Sequence, residues 1–133
     1  MTPGTYLQLR RKAAGLSIED VAGAVRTVPH LAEIDRAAFI RLIESDIAAP
    51  VWDVIEALSG AFALDRDVVD LLRLAQDFPR HFKAIDLSLP QICKQCGCSD
   101  CDPCIVNGRS CAWSAPDLCN ACSPSLQEAA HVA

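Results

Sequence analysis

Residues 93–122 read CKQCGCSDCDPCIVNGRSCAWSAPDLCNAC, and this stretch holds all eight cysteines of the chain, at 93, 96, 98, 101, 104, 111, 119 and 122. Zinc takes four ligands in a tetrahedron, and a Cys-x-x-Cys turn aims two sulfurs at one ion. Cys93-Lys-Gln-Cys96 and Cys119-Asn-Ala-Cys122 are two such turns with 22 residues between them. That spacing is compatible with a four-cysteine ribbon. Cys93, Cys96, Cys119 and Cys122 are therefore the first metal site the spacing predicts. The inner cysteines, Cys98, Cys101, Cys104 and Cys111, either form a second four-cysteine site or leave some thiols free. Asn107-Gly108 signals a turn between Cys104 and Cys111. Cys96 and Cys98 stand so close that mixed pairing between the two sets stays open.

The composition of this stretch supports a structural metal. Its large apolar residues are Ile105, Val106, Trp113 and Leu118. Segments under about 40 residues rarely fold without metal or disulfides, and structural zinc supplies ~10–16 kcal/mol in finger peptides. One or two zinc ions are expected, with Trp113 packed over the site. An iron–sulfur cluster is the rival, since it also takes four thiolates. Its run of close cysteines followed by a remote Cys-Pro is not matched: Pro103 precedes Cys104, and Pro124 does not abut Cys122.

Outward from the cysteines, the chain divides. Residues 1–79 read as a helical domain, 80–92 as a connector, 93–123 as the cysteine module and 124–133 as a disordered tail. The fold class expected is all-α: a five-helix helix-turn-helix bundle followed by a small irregular metal-stabilised module. Charge precedes any apolar stretch at the start, unlike a secretory signal, and no apolar run reaches the roughly 18 residues a membrane helix needs. A cytoplasmic location is expected, where clustered cysteines bind metal more often than they form disulfides.

The helices follow from caps and periodicity. Thr5 is read as the cap of a helix that ends at Gly15, since glycine just past a helix end is the usual left-handed stop. Ser17 opens a second helix, Ile18 to Val25, with Asp20 three residues on, close to a capping box. Pro29 breaks the following segment. Asp35 is read as the cap of a third helix, Arg36 to Asp46, with Phe39, Ile40, Leu42, Ile43 and Ile47 buried. Pro50 opens a fourth with Val51, Val54, Ile55, Leu58 and Phe62 inward. Asp65 caps a fifth, stopped at Pro79. In the connector, Ile85, Leu87 and Leu89 alternate with polar residues, as in extended chain.

Leu9-Arg10-Arg11-Lys12-Ala13-Ala14-Gly15-Leu16-Ser17-Ile18-Glu19-Asp20-Val21-Ala22 resembles the first two helices of the lambda-repressor/Cro-like (XRE) DNA-binding domain. Leu42-Ile43-Glu44-Ser45-Asp46, then Pro50 and Ile55-Glu56-Ala57-Leu58, is similar to that family's closing segment. The resemblance covers residues 5–70. It implies that the third helix is the one placed in a DNA major groove, with Arg36 and Arg41 as base-reading candidates and Arg10, Arg11 and Arg26 in support. The interval from Ala22 to Glu44 is longer than in the family and contains Pro29, Glu33 and Asp35. The tail also resembles a cysteine-rich module of phage and prophage proteins, C-x2-C-G-C followed by C-x-W and D-L-C-x-x-C. Cys101 is extra relative to that pattern.

Charge points the other way. The whole chain carries −5, and residues 1–80 hold nine Lys/Arg against twelve Asp/Glu. Strong nucleic-acid binders usually show a basic stripe. Two functions therefore stand beside each other. One is a prophage-type transcriptional regulator that binds double-stranded DNA, its zinc module mediating homodimer or partner contact. The other is a protein-interaction adaptor on the same scaffold. A redox or metal sensor built on the inner cysteines ranks third. No catalytic constellation is present: His30, His81 and His131 are scattered, and no glycine-rich phosphate loop occurs. The chain is not expected to be an enzyme.

Overall fold

Proline lacks a backbone N–H, so it fits the first turn of a helix, where that group has no partner. Pro3 starts α1 (Pro3–Ala13) in this way. In the computed structural model, which describes residues 1–27 and 29–123, the Thr2 hydroxyl accepts the Thr5 N–H at 3.2 Å. The cap is thus Thr2 and not Thr5: the sequence offers two threonines three apart, and Pro3 decides between them. Gly15 follows the helix with φ +74°, the left-handed stop that a side chain would disfavour. Ser17 and Asp20 form a full capping box at the start of α2 (Ile18–Ala24), each side chain holding the other's backbone N–H.

The third helix, α3 (Glu33–Glu44), begins before Asp35. Ala32 precedes it and offers no side-chain cap. Glu33 and Asp35 lie within its first turn, where negative charge complements the helix dipole. An acid near a helix start serves as a cap or as a first-turn charge, and sequence alone does not distinguish the two. Next come α4 (Trp52–Ser59) and α5 (Arg66–Asp77). The Asp65 carboxylate accepts the Asp67 N–H at 3.0 Å and caps α5 as expected. Pro79 does not only stop α5: it is the first residue of a sixth helix, α6 (Pro79–Ala84), which occupies the start of the expected connector.

The helices of the first compact unit, Met1–Leu89, enclose one core. Tyr6 and Leu7 of α1 meet Val21 and Ala22 of α2, Ile40 and Ile43 of α3, and Val69 and Leu72 of α5, all buried. Helix α3 packs on α1 and α2, and α1 also packs on α5. Ile55, Leu58 and Phe62 are buried as expected. Phe39, Leu42 and Ile47 are not: they are 37%, 41% and 75% exposed. Helix α3 ends at Glu44, so Ile47 lies beyond it and leaves the helix face on which the sequence placed it. The inward residues of α3 are Ala37, Ile40 and Ile43.

The second compact unit starts at Pro90. It contains two small antiparallel sheets, so the fold is helix-rich and not purely all-α. Strand β1 (Ile105–Val106) pairs with β2 (Arg109–Ser110). The turn between them, Asn107-Gly108, has φ +52° and +76°, the double left-handed geometry that matches the twist of a two-residue hairpin. Strand β3 (Trp113–Ala115) pairs with β4 (Leu118–Cys119) across an irregularity, and a single 3-10 turn follows at Asn120–Cys122. Strands of two or three residues are too short to show an alternating pattern in sequence. The expected disordered tail, 124–133, lies outside the described residues. Among the described residues no helix is long and apolar enough to cross a membrane.

Candidate functional site

The backbone of the second unit brings distant cysteines together. Gly97, at φ +74°, lets the chain curl so that the Cys93 N–H reaches the Cys98 carbonyl at 2.9 Å. The Cys98 N–H then points at the Cys96 sulfur, 3.4 Å away. Cys104 and Cys111 sit at the open end of the β1–β2 hairpin, joined by a Cys111 N–H to Cys104 carbonyl bond of 2.8 Å. Cys119 ends β4 opposite Trp113. The Lys94 N–H donates to the Asp117 carbonyl at 2.8 Å, which ties the first turn to the loop that delivers Cys119.

The sulfurs converge as a result. Cys96 and Cys104 are 3.4 Å apart, Cys96 and Cys119 3.8 Å, and Cys98 and Cys111 3.8 Å. No disulfide joins any of the eight cysteines. Two sets of four have every sulfur within 4.8 Å of the others: Cys93, Cys96, Cys98 and Cys119, and Cys98, Cys104, Cys111 and Cys119. Four sulfurs around a zinc ion at ~2.3 Å are about 3.8 Å apart along each tetrahedral edge. This cluster can hold a metal ion. Cys93, Cys98 and Cys119 are fully buried, and Cys96, Cys104, Cys111 and Cys122 pack around them with Trp113 and Leu118. The indole N–H of Trp113 donates to Asp100 at 2.7 Å, which fixes the ring against the cluster.

The geometry groups the cysteines differently from their spacing. Cys98, expected in the inner set, shares its surroundings with Cys93, Cys96 and Cys119. Cys122 packs against the cluster but stands in neither set of four. Cys101 is exposed and in neither. The reason is the turn at Gly97, which folds Cys98 back beside Cys93 instead of forward towards Cys101.

The electrostatics of the thiols also suit a cation. Burial pushes Cys104 up to about 12, reinforced by its neighbour Cys96. Burial also raises Cys98 and Cys122, again reinforced by nearby sulfurs. Cys93 feels the same burial, but backbone N–H groups of Cys119, Cys96 and Gln95 outweigh it and bring it down to about 6. Sulfurs this close cannot all ionise unless positive charge sits among them.

The arginines expected at a DNA interface are engaged within the first unit. Arg10 is buried and its Nε donates to the Ala63 carbonyl at 3.1 Å. Arg11 is buried and makes two bonds to Glu44, of 2.6 and 3.0 Å. Arg36 donates to the carbonyls of Ala22 and Leu31, each at 2.6 Å, and so pins α3 to the end of α2. Arg41 pairs with Glu19 at the surface. Arg26 is exposed and lines a groove of about 250 Å³ between the end of α2, α3 and α4.

That groove and the outward side of α3 are apolar. Val25, Leu31, Phe39, Val54 and Leu58 line the groove, with Asp53 at its edge. Ile34 and Leu42 of α3 are exposed, as are Ile47 and Trp52 beyond it. Sequence reasoning missed this surface because it assigned Phe39, Leu42 and Ile47 to the core. No signal in the sequence separated Phe39 and Leu42 from Ile40 and Ile43, since all four fall within about half of the helix circumference.

Compared with protein-family models, curated proteins and solved structures, the chain matches none.

Proposed function

We propose that this protein is a non-enzymatic binding protein: a helix-turn-helix scaffold that docks a protein partner through α3, joined to a cysteine module folded by structural zinc. The observation that carries the docking role is the outward side of α3. It presents Ile34, flanked by the acidic Glu33 and Asp35, and further along Leu42, beside an apolar groove. An apolar, acid-flanked face of this kind suits an amphipathic segment with apolar anchors and flanking basic residues. It is a poor reader of DNA, where Arg, Asn and Gln make the specific base contacts.

Zinc is favoured over an iron–sulfur cluster by the sulfur separations. Sulfurs 3.4–3.8 Å apart leave room for single ions between them but not for an iron–sulfide core, whose irons each take their own cysteine. All-cysteine zinc sites are closed and structural. A brown, iron-containing protein with visible absorption would count against zinc.

The second reading is the prophage-type regulator that binds double-stranded DNA. The helix-turn-helix order of α2 and α3 and the exposed Arg26 favour it. One experiment separates the two: selection of genomic fragments by the zinc-loaded protein at low salt. The adaptor reading expects no enriched sequence. An enriched sequence whose binding falls steeply with salt, and is lost in Arg26→Ala/Arg41→Ala, would establish the regulator.

A further inference from the structure

Seven of the eight cysteines pack into one cluster, and seven is too few for two separate four-sulfur sites. Zinc takes four ligands, so two independent ions need eight sulfurs, and Cys101 is exposed and outside the cluster. A single ion is the opposite problem: with Cys93, Cys96, Cys98 and Cys119 around it, three thiols of the cluster, Cys104, Cys111 and Cys122, are left without an ion. Two ions sharing one sulfur would use all seven, but Cys122 stands in neither set of four, so the distances favour two shared sulfurs with Cys122 outside both. Cys98 and Cys119 belong to both sets of four, and both are fully buried at 0% exposure.

We infer that the module holds two zinc ions that share the thiolates of Cys98 and Cys119. Cys93 and Cys96 complete the first ion, and Cys104 and Cys111 complete the second. The inference rests on the reading of the module as zinc-folded, and adds the number of ions and the identity of the shared ligands. Cys96···Cys119 is then an edge of the first tetrahedron and Cys98···Cys111 an edge of the second, both 3.8 Å. Cys96 and Cys104, one from each ion, stand 3.4 Å apart and must separate on loading, because terminal thiolates on two tetrahedral ions that share an edge point away from each other.

Charge favours the same arrangement. Six thiolates and two dications leave −2, whereas two ions with four private thiolates each leave −4. Uncompensated charge is costly in a buried site, so sharing halves the burden. Each of the six thiols gives its proton to solvent as its sulfur binds zinc.

The test uses the full chain, reduced, stripped of metal and reloaded with zinc or with a magnetically active cadmium isotope. Native mass spectrometry should count two ions per chain. Cadmium NMR should show two resonances split by mutual coupling through the shared sulfurs. Cys101→Ser should keep both ions, and Cys98→Ser should lose at least one. A single ion per chain, or two resonances without mutual splitting, overturns the shared-ligand proposal and leaves the zinc-folded reading standing. Loss of an ion from Cys122→Ser overturns the ligand assignment. A chain that binds no metal overturns the zinc reading itself.

Discussion

Arg11 and Glu44, thirty-three residues apart, form a two-pronged ion pair inside the helical unit, with each side chain only 7% exposed. The pair bolts the last turn of α1 to the last residue of α3. Arg11 also donates to the Leu16 carbonyl at 2.8 Å, so the same guanidinium braces the turn that leads into α2. Removing one partner of a buried pair strands the other charge, at a cost of about 3–5 kcal/mol. Glu44→Gln should therefore destabilise the helices strongly in urea unfolding followed by circular dichroism. The double variant Arg11→Met/Glu44→Leu should lose less than the two single changes added together. Simple additivity would show that the two side chains act independently.

Close approach makes a separate prediction at Gly4. A Cβ there would lie 2.5 Å from the Ile43 carbonyl oxygen and 2.7 Å from that of Glu44. Backbone cannot yield as a side chain can, so Gly4→Ala should cost about 1–3 kcal/mol. Gly23, near the end of α2, meets only the Glu33 carboxylate, at 3.4 Å. There the helix preference for alanine should prevail, and Gly23→Ala should gain up to about 1 kcal/mol. Equal effects at the two glycines in thermal unfolding would refute the close packing of α1 on α3.

The change from core at Ile43 in α3 to surface at Ile47 beyond it is testable by truncation. Ile43 is 1% exposed and Ile47 75%. Ile43→Ala should cost about 2–5 kcal/mol, and Ile47→Ala should stay within about 0.5 kcal/mol. A large loss at Ile47 would return that residue to the core, as the sequence pattern alone suggested.

Metal removal should act on one unit only. With Trp52 replaced by Phe, Trp113 is the sole indole reporter. A chelator should then shift its emission to the red as it leaves the cysteine cluster, while the helical circular dichroism of the first unit persists. Cys98→Ser should produce the same shift without chelator, and Cys101→Ser should not. Simultaneous loss of the helices would show that the first unit also depends on metal.

The Ser17–Asp20 capping box gives a pH dependence whose sign is fixed. The backbone N–H of Ser17, then its side chain, holds the Asp20 carboxyl below its ordinary value of 3.8. A carboxylate with a lowered pKa stabilises the fold above its unfolded value and loses that contribution as pH falls through the folded one. Acidification below the ordinary carboxylate range should therefore weaken α2. In Asp20→Asn this component of the acid titration, measured by helicity, should be missing.

Local chemistry in the sequence determined much of this protein. Ser17 and Asp20, Asp65, Gly15 and Asn107-Gly108 each do in the structure what their residue types require of a cap, a stop or a turn. The clustering of cysteines after residue 92 located the region that can hold a metal ion for the same reason: ligand chemistry is carried by residue type. Only the tertiary structure decided which sulfurs meet, because the left-handed turn at Gly97 and the β1–β2 hairpin set cysteines beside one another that are not paired in sequence. It also decided the roles of the arginines and of α3. Whether Arg11 meets Glu44 or a phosphate, and whether Phe39, Leu42 and Ile47 face the core or the solvent, depends on how α1, α2 and α3 pack, and the period of a single helix does not contain that information.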